Sequence, residues 1–124
     1  MKTVLIIEDN DNNLYMMQFI LSKLGHTVRD ARDGASGVAL AKDIRPDLIL
    51  MDIQLPVMDG YTATRQIRED PLLAAVPIIA VTSYAMVGDR EKALEAGCTD
   101  YVEKPIDPAA FIQILDKYLG KEIR

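Results

Sequence analysis

The three most apolar runs along the chain are Val4–Ile7, Leu48–Met51 and Ile78–Val81. Each is short, aliphatic and bounded by polar or turn-forming residues, which suits a strand buried on both faces of a sheet. Thr27–Ala31 is half polar and reads as an edge strand, and Cys98–Val102 reads as a short fifth strand. Between these runs the period becomes helical. Leu14, Met17, Leu21 and Leu24 recur at helical spacing, and Gly25 ends that helix as a residue just past its cap. Gly34 precedes a second helix marked by Ala35, Val38, Ala39 and Ala41, which Pro46 forbids from continuing. Thr62–Glu69 reads as a third helix with Ala63 and Ile67 facing inward, followed by a loop from Asp70 to Pro77. Met86–Ala96, closed by Gly97, is a fourth helix. Asp107 or Pro108 opens a fifth, with Phe111, Ile114, Leu115 and Tyr118 as its apolar stripe.

The pattern is a strand followed by a helix, five times over. Such alternation predicts an α/β fold: a doubly wound, five-stranded parallel sheet with five helices on its two faces. Right-handed crossovers with one reversal of direction give the strand order 2-1-3-4-5. That order puts strands one, three and four at the centre, and these are the three most apolar runs.

One residue disturbs the pattern. Asp52 follows the apolar run Leu48–Met51, between Pro46 and the turn residues Pro56 and Gly60. A strand buried on both faces has no use for a charge, so Asp52 belongs at its carboxyl end, where open α/β sheets bind ligands. The other strands end on the same edge. Strand one delivers Glu8 and Asp9, strand four Thr82, and strand five Lys104 before Pro105. Three carboxylates and one ammonium leave a local charge of about −2, and two like charges at about 4 Å repel by roughly 4 kcal/mol at an effective dielectric of 20. Raised carboxylate pKa values would relieve this. A hard divalent cation such as Mg²⁺, which takes oxygen ligands and keeps several waters, relieves it better. Nucleophile, metal, hydroxyl and ammonium together suit phosphoryl transfer.

Composition narrows the partners. The chain has 124 residues, a length that fits one domain, with 49% hydrophobic and 27% charged residues. Its net charge of −5 speaks against a nucleic-acid partner, because phosphate backbones require a basic face. The single cysteine, Cys98, excludes an internal disulfide. No apolar run approaches the roughly 18 residues of a membrane span, and none forms a signal-peptide core. The expectation is a cytoplasmic protein with no membrane association.

Glu8-Asp9, Asp52, Thr82 and Lys104-Pro105, each at its own strand end, resemble the receiver domain of two-component response regulators. The resemblance covers essentially the whole chain, and the predicted strand order is in part that family's flavodoxin-like order. Glu8-Asp9-Asn10 and Met51-Asp52-Ile53-Gln54-Leu55-Pro56 are most similar to single-domain receivers of the DivK type and to receivers of hybrid kinases. The resemblance implies that Asp52 takes a phosphoryl group from a histidine kinase or a histidine phosphotransfer protein. It implies that Asp9, Asp52 and the backbone carbonyl of Gln54 bind Mg²⁺, with Glu8 acting mainly through water. Lys104 would pair with the phosphoryl group, Thr82 would move to hydrogen-bond it, and Tyr101 would swing inward as the second switch residue. Lys104-Pro105 would be a cis peptide. Ser83 stands where the family more often has alanine, and Tyr84 and Gln54 occupy positions that vary in the family and tune the lifetime of its acyl phosphate. A stand-alone receiver with no output domain would signal by binding an effector protein, through Val87–Leu119, as a monomer or a weak phosphorylation-dependent dimer. It would catalyse only its own phosphorylation and slow dephosphorylation.

Blander roles compete for each of these residues. Glu8 and Asp9 could be acids favoured by a helix dipole, although Asn10 or Asp11 can cap the helix instead. Tyr101 could be a half-buried edge aromatic. Gly60 is expected to supply permissive dihedrals in the Met58-Asp59-Gly60 turn. His26 is expected at the surface, and Cys98 as a small residue at a strand start. Two other functions compete with the receiver. A Mg²⁺-dependent phosphatase or phosphotransferase would need a general acid and a substrate pocket, which the sequence does not clearly offer. A binding module, either an unphosphorylated receiver-like adaptor or a flavin carrier, would lack one of Asp9, Asp52 or Lys104, or would need a glycine-rich phosphate loop in place of Glu8-Asp9.

Overall fold

A computed structural model describes residues 2–83 and 88–120. Five parallel strands form one sheet in the order β2-β1-β3-β4-β5. They are β1 (Thr3–Ile7), β2 (Thr27–Ala31), β3 (Leu48–Asp52), β4 (Ile78–Thr82) and β5 (Asp100–Glu103). The helices are α1 (Asp11–Lys23), α2 (Gly34–Ile44), α3 (Gly60–Arg68), α4 (Asp89–Ala96) and α5 (Pro108–Leu119). Every residue of β3 and β4 is buried, whereas β2, at the sheet edge, is mostly exposed and buries only Ala31. The α/β fold is as the strand–helix alternation predicted, and the flavodoxin-like strand order is as that alternation and the family resemblance together implied.

Side-chain alternation divides the core in two. Val4, Ile6, Leu48, Leu50, Ile79 and Val81 pack with Leu14, Met17 and Leu21 of α1 and Phe111 and Leu115 of α5. Leu5, Ile7, Ile49, Met51, Ile78 and Ala80 pack with Val38 of α2, Ala63 and Ile67 of α3 and Ala93 of α4. Helices α1, α2, α3 and α5 start where short polar side chains accept orphan backbone N–H groups, whereas Gly88 precedes α4 without a side-chain cap. Asn10 accepts from Asn13 N at 2.9 Å, Asp33 from Ser36 N at 2.8 Å, Asp59 from Thr62 N at 2.8 Å and Asp107 from Ala110 N at 3.1 Å. Gly25, at φ 89°, follows the α1 cap in the left-handed region.

Several local expectations are corrected. Gly34 is the first residue of α2 rather than its forerunner, because Asp33 takes the cap. Helix α3 begins at Gly60, two residues early, because Asp59 caps it. The Asp70–Pro77 loop contains a 3-10 turn, Pro71–Leu73, which Asp70 caps and which buries Leu73. Strand β5 runs Asp100–Glu103 rather than Cys98–Val102, since Thr99 N already donates to Ile78 O on the approach. The described part of α4 begins at Asp89; Met86, Val87 and Tyr84 lie outside the described residues. His26 is buried, not at the surface, and its Nδ1 accepts from Lys2 N at 3.3 Å. Gly60 has no positive φ; a Cβ there would lie 2.4 Å from Asp52 O and 2.6 Å from Ile53 Cα. Close approach to the β3 backbone, not a special dihedral, requires that glycine.

Candidate functional site

The site lies on the carboxyl edge of the sheet, and alternation decides which groups meet there. Glu8 continues the face of Val4 and Ile6, and Asp52 that of Leu48 and Leu50. Both therefore point to the α1 and α5 side. Lys104 follows Val102 on that side and reaches in from β5. Its Nζ lies 3.0 Å from Glu8 Oε1 and 3.4 Å from Asp52 Oδ1. Thr82 continues the opposite face, with Ile78 and Ala80, and is buried. Tyr101 belongs to that second face too. It is half-buried, and its hydroxyl donates to Glu103 Oε1 at 3.2 Å. The Lys104–Pro105 peptide bond is cis.

Glu8, Asp9 and Asp52 bring carboxylate oxygens within 4.8 Å of one another. Glu8 is fully buried and Asp52 is 2% exposed, while Asp9 faces solvent. Burial holds the Asp52 carboxyl above its ordinary value, Glu8 beside it adds to this, and the Gln54 N–H and Lys104 only partly oppose it. Asp9 is pushed up in the same direction by desolvation and by Asp52. Glu8 Oε1 meets Lys104 as an ion pair but receives no well-aligned hydrogen bond among the described residues. One ammonium is thus shared by buried carboxylates that repel each other. A divalent cation with oxygen ligands and retained waters fits this donor set, with Asp9 on the open side. Among the described residues the acids form one cluster with the spacing a metal would need.

The loop after β3 is tightly made. Gln54 N donates to Asp52 Oδ1 at 2.9 Å, fixing the carboxylate, and Gly60 N donates to Ile53 O at 3.0 Å. Met58 N donates to Pro56 O at 2.8 Å across Val57, whose φ is 67°. The Gln54 side chain crosses to β4, where its Oε1 accepts from Ser83 N at 3.1 Å. The family resemblance gives the Gln54 backbone carbonyl a role at the metal and puts its side chain at a position that tunes acyl-phosphate lifetime, but it names no partner for that side chain. Nothing in the pattern of apolar and polar residues signals the side-chain bond, because it depends on the path of two loops. Among the described residues no helix is long and apolar enough to cross a membrane.

The model of the response regulator receiver domain matches residues 4–116. The polar-differentiation response regulator DivK of Brucella anthropi is 41% identical over 119 residues, covering 96% of this chain and 97% of DivK. Among solved structures, the receiver domain of the sensor histidine kinase PA1611 from Pseudomonas aeruginosa is 44% identical with a TM-score of 0.88, over 96% of this chain and 98% of that one. That structure has a magnesium ion coordinated in its active site cleft. The receiver domain of Ssk1 from Saccharomyces cerevisiae, solved with the histidine phosphotransfer protein Ypd1, is 32% identical with a TM-score of 0.86, over 98% of this chain and 92% of that one.

Proposed function

The chain belongs to the response regulator receiver domain family, and from that premise we propose that it is a phospho-accepting receiver whose nucleophile is Asp52. The observation that carries this reading is the convergence of Glu8, Asp9 and Asp52 within 4.8 Å, with Lys104 Nζ 3.4 Å from Asp52 Oδ1. An oxygen of Asp52 attacks the phosphorus of the donor. The new P–O bond forms as the bond to the donor's imidazole nitrogen, or to the acetate oxygen of acetyl phosphate, breaks. The donor leaves with the bonding pair. Asp9, Asp52 and the Gln54 carbonyl would hold Mg²⁺, with Glu8 acting mainly through water. Bound there, the ion would neutralise charge on the phosphoryl oxygens and on the carboxylates.

The protein's own groups do the rest. Gln54 N and Lys104 hold the Asp52 carboxylate, which restricts it to a reactive orientation. Lys104 offers an ammonium to the added oxygens. Thr82 starts on the opposite face of the sheet and hydrogen-bonds the phosphoryl group after moving toward it, and Tyr101, on the same face, follows inward. Phosphorylation then favours one of two arrangements of this edge, and an effector protein that binds one better reads the difference. The donor is a histidine kinase or a histidine phosphotransfer protein, and the Ssk1–Ypd1 pair supports the latter class. We propose a cytoplasmic location for this receiver domain, which is monomeric or weakly dimeric when phosphorylated. Its catalysis is limited to its own phosphorylation and slow dephosphorylation.

Acetyl phosphate or beryllofluoride with Mg²⁺ tests the reading. One phosphoryl group per chain on Asp52, and a conformational response lost in Asp52→Asn, is the expected result. An unresponsive wild type, or a response that survives Asp52→Asn, overturns it.

A further inference from the structure

The hydrogen bond between Gln54 Oε1 and Ser83 N stands where the sheet should have continued. In the β3–β4 pairing Asp52 lies opposite Val81, and Ile53 N donates to Val81 O at 3.1 Å. The next rung of a parallel ladder would run from Ser83 N to Ile53 O. That carbonyl is already taken by Gly60 N at 3.0 Å, because the chain turns there into α3. The Ser83 N–H is left pointing across the gap, and the Gln54 amide oxygen receives it at 3.1 Å. The same residue holds Asp52 Oδ1 through its backbone N–H at 2.9 Å. A single residue therefore spans from the Asp52 carboxylate to the first amide beyond Thr82.

We propose that the Gln54 side chain is a releasable latch: its amide oxygen holds Ser83 N, and with it the Thr82 end of β4, in the arrangement that precedes occupancy of Asp52. The inference rests on the phosphoacceptor reading above. An anion seated on Asp52 lies beside a backbone donor already engaged by a neutral acceptor. Ionised acceptors make the stronger hydrogen bonds, so the anion takes the Ser83 N–H and the Gln54 amide is released. Thr82, one residue earlier, moves with that amide. Gln54 thus acts through the Ser83 backbone as a positioning residue and opposes filling of the site.

Beryllofluoride titrations at saturating Mg²⁺, read by the ¹⁵N-resolved amide resonances of the intact chain, test this. Gln54→Met keeps the length of the side chain and removes the acceptor. It is expected to shift the Ser83 amide in the free protein and to tighten beryllofluoride binding by roughly 2- to 12-fold, the range of one net hydrogen bond. Gln54→Glu keeps an acceptor, makes it anionic and is expected to weaken binding. If wild type responds and the two variants move binding in the same direction, or Gln54→Met leaves the free Ser83 amide unshifted, the latch is overturned while the phosphoacceptor reading stands. A wild type that does not respond overturns both. Beryllofluoride-induced loss of the Ser83–Gln54 signature in wild type supports the latch, and its persistence at saturation overturns it.

Discussion

Lys104 and Glu8 are 96 residues apart in sequence and pair at 3.0 Å, in an edge where Glu8 has no exposure to solvent. Removing one partner of a buried pair leaves an uncompensated charge and typically destabilises by about 3–5 kcal/mol. Lys104→Met should therefore lower the melting temperature sharply. The loss should be smaller in millimolar Mg²⁺ than in a chelator, because a cation offsets the same carboxylates. Thermal melts in both buffers check this, and equal losses in the two would disconnect Lys104 from the metal.

Asp52→Asn should do the opposite in chelator. It removes one of the mutually repelling carboxylates while leaving an oxygen to accept from Gln54 N. Screened repulsion at this spacing is on the order of 1 kcal/mol or more, so the variant is expected to melt several degrees higher than wild type. Its stabilisation by Mg²⁺ should shrink accordingly. Denaturant unfolding with and without the ion measures both effects, and a destabilised variant would contradict the assigned repulsion.

The pH dependence separates two kinds of carboxylate. Asp9 and Asp52 are held above the ordinary value of 3.8, so the folded protein keeps their protons to higher pH than the unfolded chain does. Stability then falls as pH rises from about that value through the raised ones. Asp100 behaves in reverse. Burial alone would raise it, but hydrogen bonds from Tyr118 Oη at 2.7 Å and Tyr101 N at 2.8 Å, with Lys117 nearby, hold it low. Its contribution is present above its unfolded value and is lost as pH falls through the lowered folded one. In chelator, melting temperature should pass through a maximum on the acidic side. The descending limb toward neutral pH should flatten in Asp52→Asn and in Mg²⁺, and the acidic limb should weaken in Tyr118→Phe.

The sheet was legible because β1, β3 and β4 are buried on both faces, so apolar runs and strands coincide. The edges were less so. At β5 the pairing that starts the strand depends on where Thr99 meets Ile78, and Cys98 is buried against Thr64 without being part of the strand. His26 was misplaced because a polar residue after a helix stop is ordinarily exposed, and only the fold brings Lys2 N to it. The residues of the candidate site were visible as strand ends. The division that sets Glu8, Asp52 and Lys104 on one face and Thr82 and Tyr101 on the other was latent in the alternation of each strand. The Gln54–Ser83 contact was not, since it needs the path of the β3–α3 loop.

Gly60 gives the sharpest contrast between a dihedral role and a space role. Gly25, at φ 89°, has nothing within 4 Å of where a Cβ would stand, so Gly25→Ala meets only backbone strain, about 1–2 kcal/mol. Gly60 adopts an ordinary φ but sits against the β3 backbone, with Asp52 O at 2.4 Å and Ile53 Cα at 2.6 Å from a built Cβ. Neither neighbour is a flexible side-chain tip, so the α3 N-terminus must shift away and break the Gly60 N to Ile53 O bond. Gly60→Ala should therefore cost about 3 kcal/mol or more, at the upper end of overpacking effects. Breaking that bond would also free Ile53 O to receive Ser83 N, the rung that Gln54 replaces. Gly60→Ala should accordingly weaken Mg²⁺ binding and move the Ser83 amide resonance, whereas Gly25→Ala should do neither. Equilibrium unfolding and Mg²⁺ titration of both variants decide the matter. Equal stability losses would return Gly60 to the role of an ordinary turn glycine.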